Sequence, residues 1–416
     1  MKPTYRSTRR ACYLGYITQA ITNNLAPLFF LIFQEDYHLS FEMMGRLVLI
    51  NFGSQILVDL IAVKFADRVG HRRMVVAAHL FCTLGLVALG VLPRLMPSPY
   101  AGLVIAVLLY AVGGGLIEVL ISPIVDSLPG DAKASSMSLL HSFYCWGQMA
   151  VVLVTTLALR LLGHQIWFLL PILWAAVPLY NTFRFCRVPL APPVPQEQQK
   201  SPRSLLKSRF FLIALLLMLA AGASELTMSQ WSSLFAEKGL QVPKVLGDLL
   251  GPCLFAALMG LGRVLYSVFG QRIRLQNALL FSGMLCVACY LTTVFFPTPI
   301  LSLLGCAVCG FSVSLMWPGT YSLSSALIPY GGTAMFGLLA MFGDIGASLG
   351  PWLAGLVSDL VQRMPGAISL GASMGLSPDQ TGLKAGLLLG VIFPMLMVIG
   401  VLMLRGKRSA QPEPQP

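Results

Sequence analysis

RVPLAPPVPQEQQKSPRSLLKSR, residues 187–209, is rich in Pro, Gln and basic side chains and nearly free of apolar ones except at its ends. Such a composition reads as a linker. On either side of it the chain changes character. A bilayer core requires roughly 20 apolar residues per crossing helix. Before the linker, runs of this kind lie near 11–33, 44–66, 73–93, 101–125, 136–162 and 166–187. After it they lie near 209–235, 247–270, 275–297, 299–325, 332–360 and 381–404. The reading is an all-α membrane protein of twelve transmembrane helices. One six-helix bundle covers 1–187, the linker 188–208, and a second six-helix bundle with a short tail 209–416.

Composition agrees. The 416 residues are 56% hydrophobic and 11% charged, with mean hydropathy +0.77, outside the range of soluble domains. A run such as LLPILWAAVPLY (169–180) has no polar face and meets lipid or apolar neighbours. The basic start MKPTYRSTRR is followed by an apolar run too long for a secretory signal, so the first helix is expected to stay in the membrane.

The net charge of +12 is explained by where it falls. With the N-terminus placed in the cytoplasm, 20 of the 28 Lys and Arg residues fall on the cytoplasmic side and 7 outside, with Arg263 inside a helix. Cytoplasmic loops retain Lys and Arg. The expectation is a multi-pass protein of the plasma (inner) membrane with both termini cytoplasmic, and no nucleic-acid partner. Cys286-x2-Cys289 and Cys306-x2-Cys309 have zinc-ribbon spacing, but they sit in apolar runs of adjacent helices with no His or carboxylate beside them. They read as packing cysteines, and no metal or cofactor is expected.

The two halves repeat one another. Gly115, Pro123, Ser127 and Leu128 in the fourth helix correspond to Gly310, Pro318, Ser322 and Leu323 in the tenth, all offset by 195. LLHSFYCWG (139–147) in the fifth helix aligns with LLAMFGDIG (338–346) in the eleventh, at an offset of 199. Repeats related by an axis along the membrane normal place a substrate site at their interface near the midplane, with alternating access by rocking.

After the second helix, Asp67-Arg68-Val69-Gly70-His71-Arg72-Arg73 resembles the cytoplasmic signature loop of the major facilitator superfamily, Gly-x-x-x-Asp-Arg-x-Gly-Arg-Lys. Val63 replaces its leading glycine and His71 one basic position. The resemblance implies that Asp67, Arg68, Gly70, Arg72 and Arg73 form a loop that gates conformational change; a solvated basic turn is the plainer alternative. GGGLIEVLISPIVDSL (113–128) is similar to the fourth helix of the fucose–proton symporter group, with Glu118 and Pro123 matching and Ser122 where Asn is usual. Asn23-Asn24-Leu25 also resembles that group, in which a proton-coupling aspartate follows two residues on. Pro27 occupies that position here.

A charge inside a bilayer costs several kcal/mol, so intramembrane ionisable residues are functional candidates. Glu118, Glu225, Asp344 and His141 are the expected proton-coupling groups. Each has a plainer alternative as an interhelical partner, which for Asp344 is a pair with Arg263. Asp59 and Arg263 lie at similar depths and read as paired or gating charges. For the solute, the amides Gln19, Asn23, Asn24, Gln148 and Gln230, with Ser122, offer hydrogen bonds to hydroxyls. The indoles of Trp146, Trp231 and Trp317 suit the apolar side of a sugar ring, or simply pack helices.

No phosphate-binding Gly-x-x-x-x-Gly-Lys-[Ser/Thr] loop and no nucleophile–base motif is present, so neither ATP hydrolysis nor an enzyme is expected. The expected function is secondary active transport of a small polar solute, a sugar, by proton-coupled symport in a monomer, with sodium the other coupling ion. A proton-driven exporter of drugs or lipophilic metabolites is the rival. A non-transporting sensor is a third reading.

Overall fold

The computed structural model describes residues 4–129, 133–190, 202–269, 273–296, 298–328 and 332–404. Every regular element among them is helical. The long elements are α1 (Tyr5–Tyr37), α2 (Phe41–Val69), α3 (His71–Leu95), α4 (Pro99–Ser127), α5 (Lys133–Leu162) and α6 (Leu169–Trp174 and Ala176–Arg187). After the linker come α7 (Arg209–Gly239), α8 (Lys244–Tyr266), α9 (Leu275–Phe295), α10 (Pro299–Val313 and Met316–Leu327), α11 (Gly332–Val361) and α12 (Pro378–Leu404).

Eleven of these, among the described residues, are long and apolar enough to cross a membrane. The sixth expected helix is not among them, and it is in two short pieces. Pro178 has no N–H to offer the Trp174 carbonyl one turn earlier, and the helix breaks there. Pro27 and Pro318 act in the same way. A 3-10 turn over Ala26–Phe29 interrupts α1, and α10 is interrupted after Val313. Helix starts are set by local chemistry. Ser98 accepts the Ala101 N–H at 3.3 Å ahead of Pro99, and Ser377 forms a reciprocal capping box with Gln380 at the start of α12.

Leu57, Ile61, Leu84, Leu173, Phe281 and Ile399 point outward and are exposed. An apolar exterior of this kind faces lipid. Inside, α7 is buried along most of its length and lies against α11. A Cβ at Gly346 would collide with the Leu219 carbonyl, so only glycine permits this approach, as the small residues of GDIGASLG (343–350) lead one to expect. The four cysteines of α9 and α10 are buried where those helices meet, with Cys286 Sγ 3.7 Å from Cys309 Sγ.

Two antiparallel seams join the helices before the linker to those after it: α2 against α11, and α5 against α8. We call the end of the helices near Gly70, Val188 and Arg209 the linker end, and the opposite end distal. At the distal end, Trp352 Nε1 donates to Glu42 Oε1 at 3.0 Å, and Thr156 donates to Asp248 Oδ2 at 2.7 Å. Lys244 lies 3.3 Å from the same Asp248 oxygen, and Lys238 lies 3.4 Å from Glu35.

Candidate functional site

The site begins with three polar stripes on apolar helices. On α1, Gln19 and Asn23 are one turn apart. On α2, Asn51, Gln55 and Asp59 repeat every fourth residue, so all three face one way. On α4, Glu118 follows Gly115 by three residues and shares its face. Gln19 Nε2 donates to Glu118 Oε2 at 2.7 Å, which fixes the carboxylate. Asn23 Oδ1 accepts from Asn51 Nδ2 at 3.1 Å and Gln55 Nε2 at 3.0 Å.

Backbone carbonyls complete the network. Pro27 leaves the Asn23 carbonyl without its helical donor, and Gln230 Nε2 from α7 takes it at 2.9 Å. Pro318 likewise frees the Ser314 carbonyl, which receives Arg263 Nε at 3.4 Å. Prolines are tolerated in membrane helices where a neighbour satisfies the freed group in this way.

A second cluster surrounds Arg263. Its guanidinium reaches the His141 carbonyl at 3.3 Å and Cys145 Sγ at 3.1 Å across the α5–α8 seam, and lies 3.8 Å from Glu225 Oε2. The Tyr16 hydroxyl is 3.5 Å from His141 Nε2. Arg263 therefore pairs with Glu225, and the alternative pairing of Asp344 with Arg263 is corrected.

Asp344 instead meets Asp59. Their carboxyls come within hydrogen-bonding reach across the α2–α11 seam, with Glu118 close enough to act on both. Gly115 makes room, since a Cβ there would stand 3.1 Å from Asp59 Oδ1.

Between the clusters lies a cavity of about 70 Å³, walled by Gln19, Asn23, Glu118, His141, Glu225, Trp317 and Asp344. At about 15 Å³ per water position it holds roughly five waters. Seven of the expected site residues thus share one space. Tyr16, Phe52, Tyr144, Leu226, Arg263 and Ala347 complete the wall.

The other expected residues lie elsewhere. Asn24 Nδ2 donates to the Tyr144 hydroxyl at 3.1 Å, one layer behind the wall. Gln148 Nε2 donates to Ser229 Oγ at 2.8 Å and ties α5 to α7. Trp146 is 38% exposed. Trp231 is a correction: its indole is buried against Phe30 and Phe41 and donates to the Pro351 carbonyl at 2.9 Å, so it packs the distal core and does not face the cavity. The side chains of Ser122, Asp67 and Arg68 lie outside the described residues. Gly70 has φ +91°, and Arg72 donates to the Phe185 and Val188 carbonyls at 2.7 and 2.8 Å, anchoring the loop to the end of α6. Arg73 is exposed.

Asn51, Gln55 and Tyr16 were missed, whereas Tyr144 shares a helix face with His141 and Gln148 in the sequence. The fourfold spacing on α2 is a signal that was present in the sequence. Tyr16 carried none, because tyrosine is ordinary in membrane helices.

A family model described as Major Facilitator Superfamily matches residues 12–351. No curated protein matches the sequence. Among solved structures, a bacterial homolog of the human lysosomal transporter Spinster, in an inward-facing and occupied conformation, is 15% identical with TM-score 0.76. That alignment covers 99% of this chain and 100% of the other. A D-xylose–proton symporter is 14% identical with TM-score 0.74, covering 95% and 98%. The Escherichia coli fucose:proton symporter is 13% identical with TM-score 0.65, covering 96% and 98%. At these identities the likeness concerns the fold.

Proposed function

Because the chain belongs to the Major Facilitator Superfamily and is a transporter, not an enzyme, we propose that it moves a small polar solute, a sugar, together with a proton. The observation that carries this reading is Glu118, held by the Gln19 amide at 2.7 Å in a cavity walled by amides, phenols and the Trp317 indole. Amides and phenols hydrogen-bond hydroxyls, and an indole face packs on a sugar ring. A carboxyl beside them takes up or gives a proton as the solute binds.

The moving parts are two six-helix bundles, 1–187 and 209–416, rocking about the seams. The linker end opens to the cytoplasm, where both termini lie, and the membrane is the plasma (inner) membrane. Two structural neighbours named as sugar–proton symporters support the solute class. Counterflow in proteoliposomes with labelled sugars is the test. Exchange of at least one sugar is expected, and no exchange of any sugar rejects the solute class.

A second reading, a proton-driven exporter of lipophilic compounds, draws on Phe52, Leu226 and Ala347 in the same wall. A change in drug sensitivity of cells lacking the protein would favour it.

A further inference from the structure

The Asp59–Asp344 contact joins two acids from opposite halves of the chain. Asp59 is 6% exposed and Asp344 2% exposed. Asp59 Oδ1 and Asp344 Oδ2 are buried without a hydrogen-bond partner. Among the described residues no Lys, Arg or His forms an ion pair with either, because Arg263 is committed to Glu225. The charged and titratable groups that face the pair are Glu118 from α4 and, toward Asp344, Tyr321 from α10, with Tyr16 of α1 beyond it. Among the described residues, the surroundings add negative charge and supply no compensating cation.

Position gives the pair its meaning. The α2–α11 seam is closed from the distal end, where Asp359 receives the Phe41 and Glu42 N–H groups, down to Asp59 and Asp344. Eighteen residues separate Phe41 from Asp59, which at 1.5 Å per residue is about 27 Å of helix. The pair therefore terminates the sealed stretch, and Asp344 is its member in the cavity wall.

We propose that Asp59 and Asp344 bind one proton between them, and that this proton latches α2 to α11 and keeps the distal end shut. With the proton present, one carboxylic acid donates its O–H to the other carboxylate, and the pair carries a single negative charge. When Asp344 passes the proton to cavity water, two carboxylates face each other in a water-poor seam. Like charges at such a distance cannot both ionise in place, so the seam parts. The site takes a proton in preference to a larger cation because any ion of greater size must first separate the two oxygens. This deepens the alternating-access reading above and rests on it. It adds, beside the proton exchanged at the solute-facing Glu118, a second proton held at a separate pair that keeps the seam closed.

The test is a distance measured across the distal end. Spin labels at Leu95→Cys and Leu360→Cys, both exposed positions, are placed in a background with the exposed Cys186 changed to Ser. Double electron–electron resonance on the full chain in lipid nanodiscs is recorded from acidic to alkaline pH. The wild-type distance is expected to lengthen as pH rises. In Asp59→Asn the new amide donates permanently to Asp344, so the distance should stay short at every pH. Asp344→Asn replaces the other member and should behave alike, which guards against one variant that misfolds. If either folded variant lengthens over the same pH range as wild type, the latch is rejected while alternating access stands. A wild-type distance that responds to solute but not to pH also rejects the latch. A wild-type distance that responds to neither removes the alternating-access reading and the latch together.

Discussion

Asp359 and Glu42 lie more than three hundred residues apart, yet the Asp359 carboxylate receives the Glu42 N–H at 2.8 Å, with the Phe41 N–H at 3.2 Å. A side chain of α11 thus satisfies the orphan donors at the start of α2, a cap supplied from the other half of the chain. Loss of such a cap costs about 1 kcal/mol, which is roughly a fivefold change in an equilibrium. Asp359→Ala should therefore enlarge the long-distance population between labels at 95 and 360 by about that factor. An unchanged distribution would show that the cap does not hold the seam.

Glu118→Gln keeps the shape and the partner of Glu118 but removes the exchangeable proton. Uphill accumulation in energised vesicles should fall to equilibration, while solute exchange persists in part. Undiminished accumulation would remove Glu118 from the coupling role.

Arg263 and Glu225 form a buried pair at 3.8 Å. Arg263→Ala leaves Glu225 uncompensated, and breaking such a pair from one side costs about 3–5 kcal/mol. The thermal unfolding temperature should drop sharply. The double variant Arg263→Ala/Glu225→Gln should recover much of that loss, because neither partner is left charged alone. Equal losses in the single and double variants would mean that the pair is not the source.

Two indoles should separate by function. Trp231→Phe forfeits the hydrogen bond to the Pro351 carbonyl, worth about 1 kcal/mol of stability, and should leave KM unchanged. Trp317→Phe alters the cavity wall and should shift KM with little effect on unfolding. The reverse pattern, read from uptake kinetics and thermal melts on the same preparations, would exchange their roles.

How much of this was legible in the sequence depended on contrast. Glu118, Glu225 and Asp344 stood out because a charge in an apolar helix is rare, and all three line one cavity. The break in α6 was foreshadowed only by Pro178, and a hydropathy run averages over a single missing hydrogen bond. On α7 Glu225, Ser229 and Ser232 share one face and Gln230 lies on another, yet the helix around them is buried on every side. Periodicity has nothing to resolve there, and Trp231 was assigned to the wrong side for that reason. The meeting of Asp59 with Asp344 joins residues from two halves, a relation that local pattern does not contain.

The proline at 27 has a further consequence for how the site tolerates change. Because Gln230 docks on the main-chain oxygen of residue 23, and Arg263 on that of residue 314, these two anchors are indifferent to which side chains occupy 23 and 314. Neither acceptor can be lost by substitution at its own position. Each can be withdrawn only from four residues away, by replacing Pro27 or Pro318 with a residue whose amide reclaims the oxygen for the helix. The positions where mutation releases these two anchors are therefore offset by one turn from the contacts themselves, and a scan confined to contacting residues would pass over them.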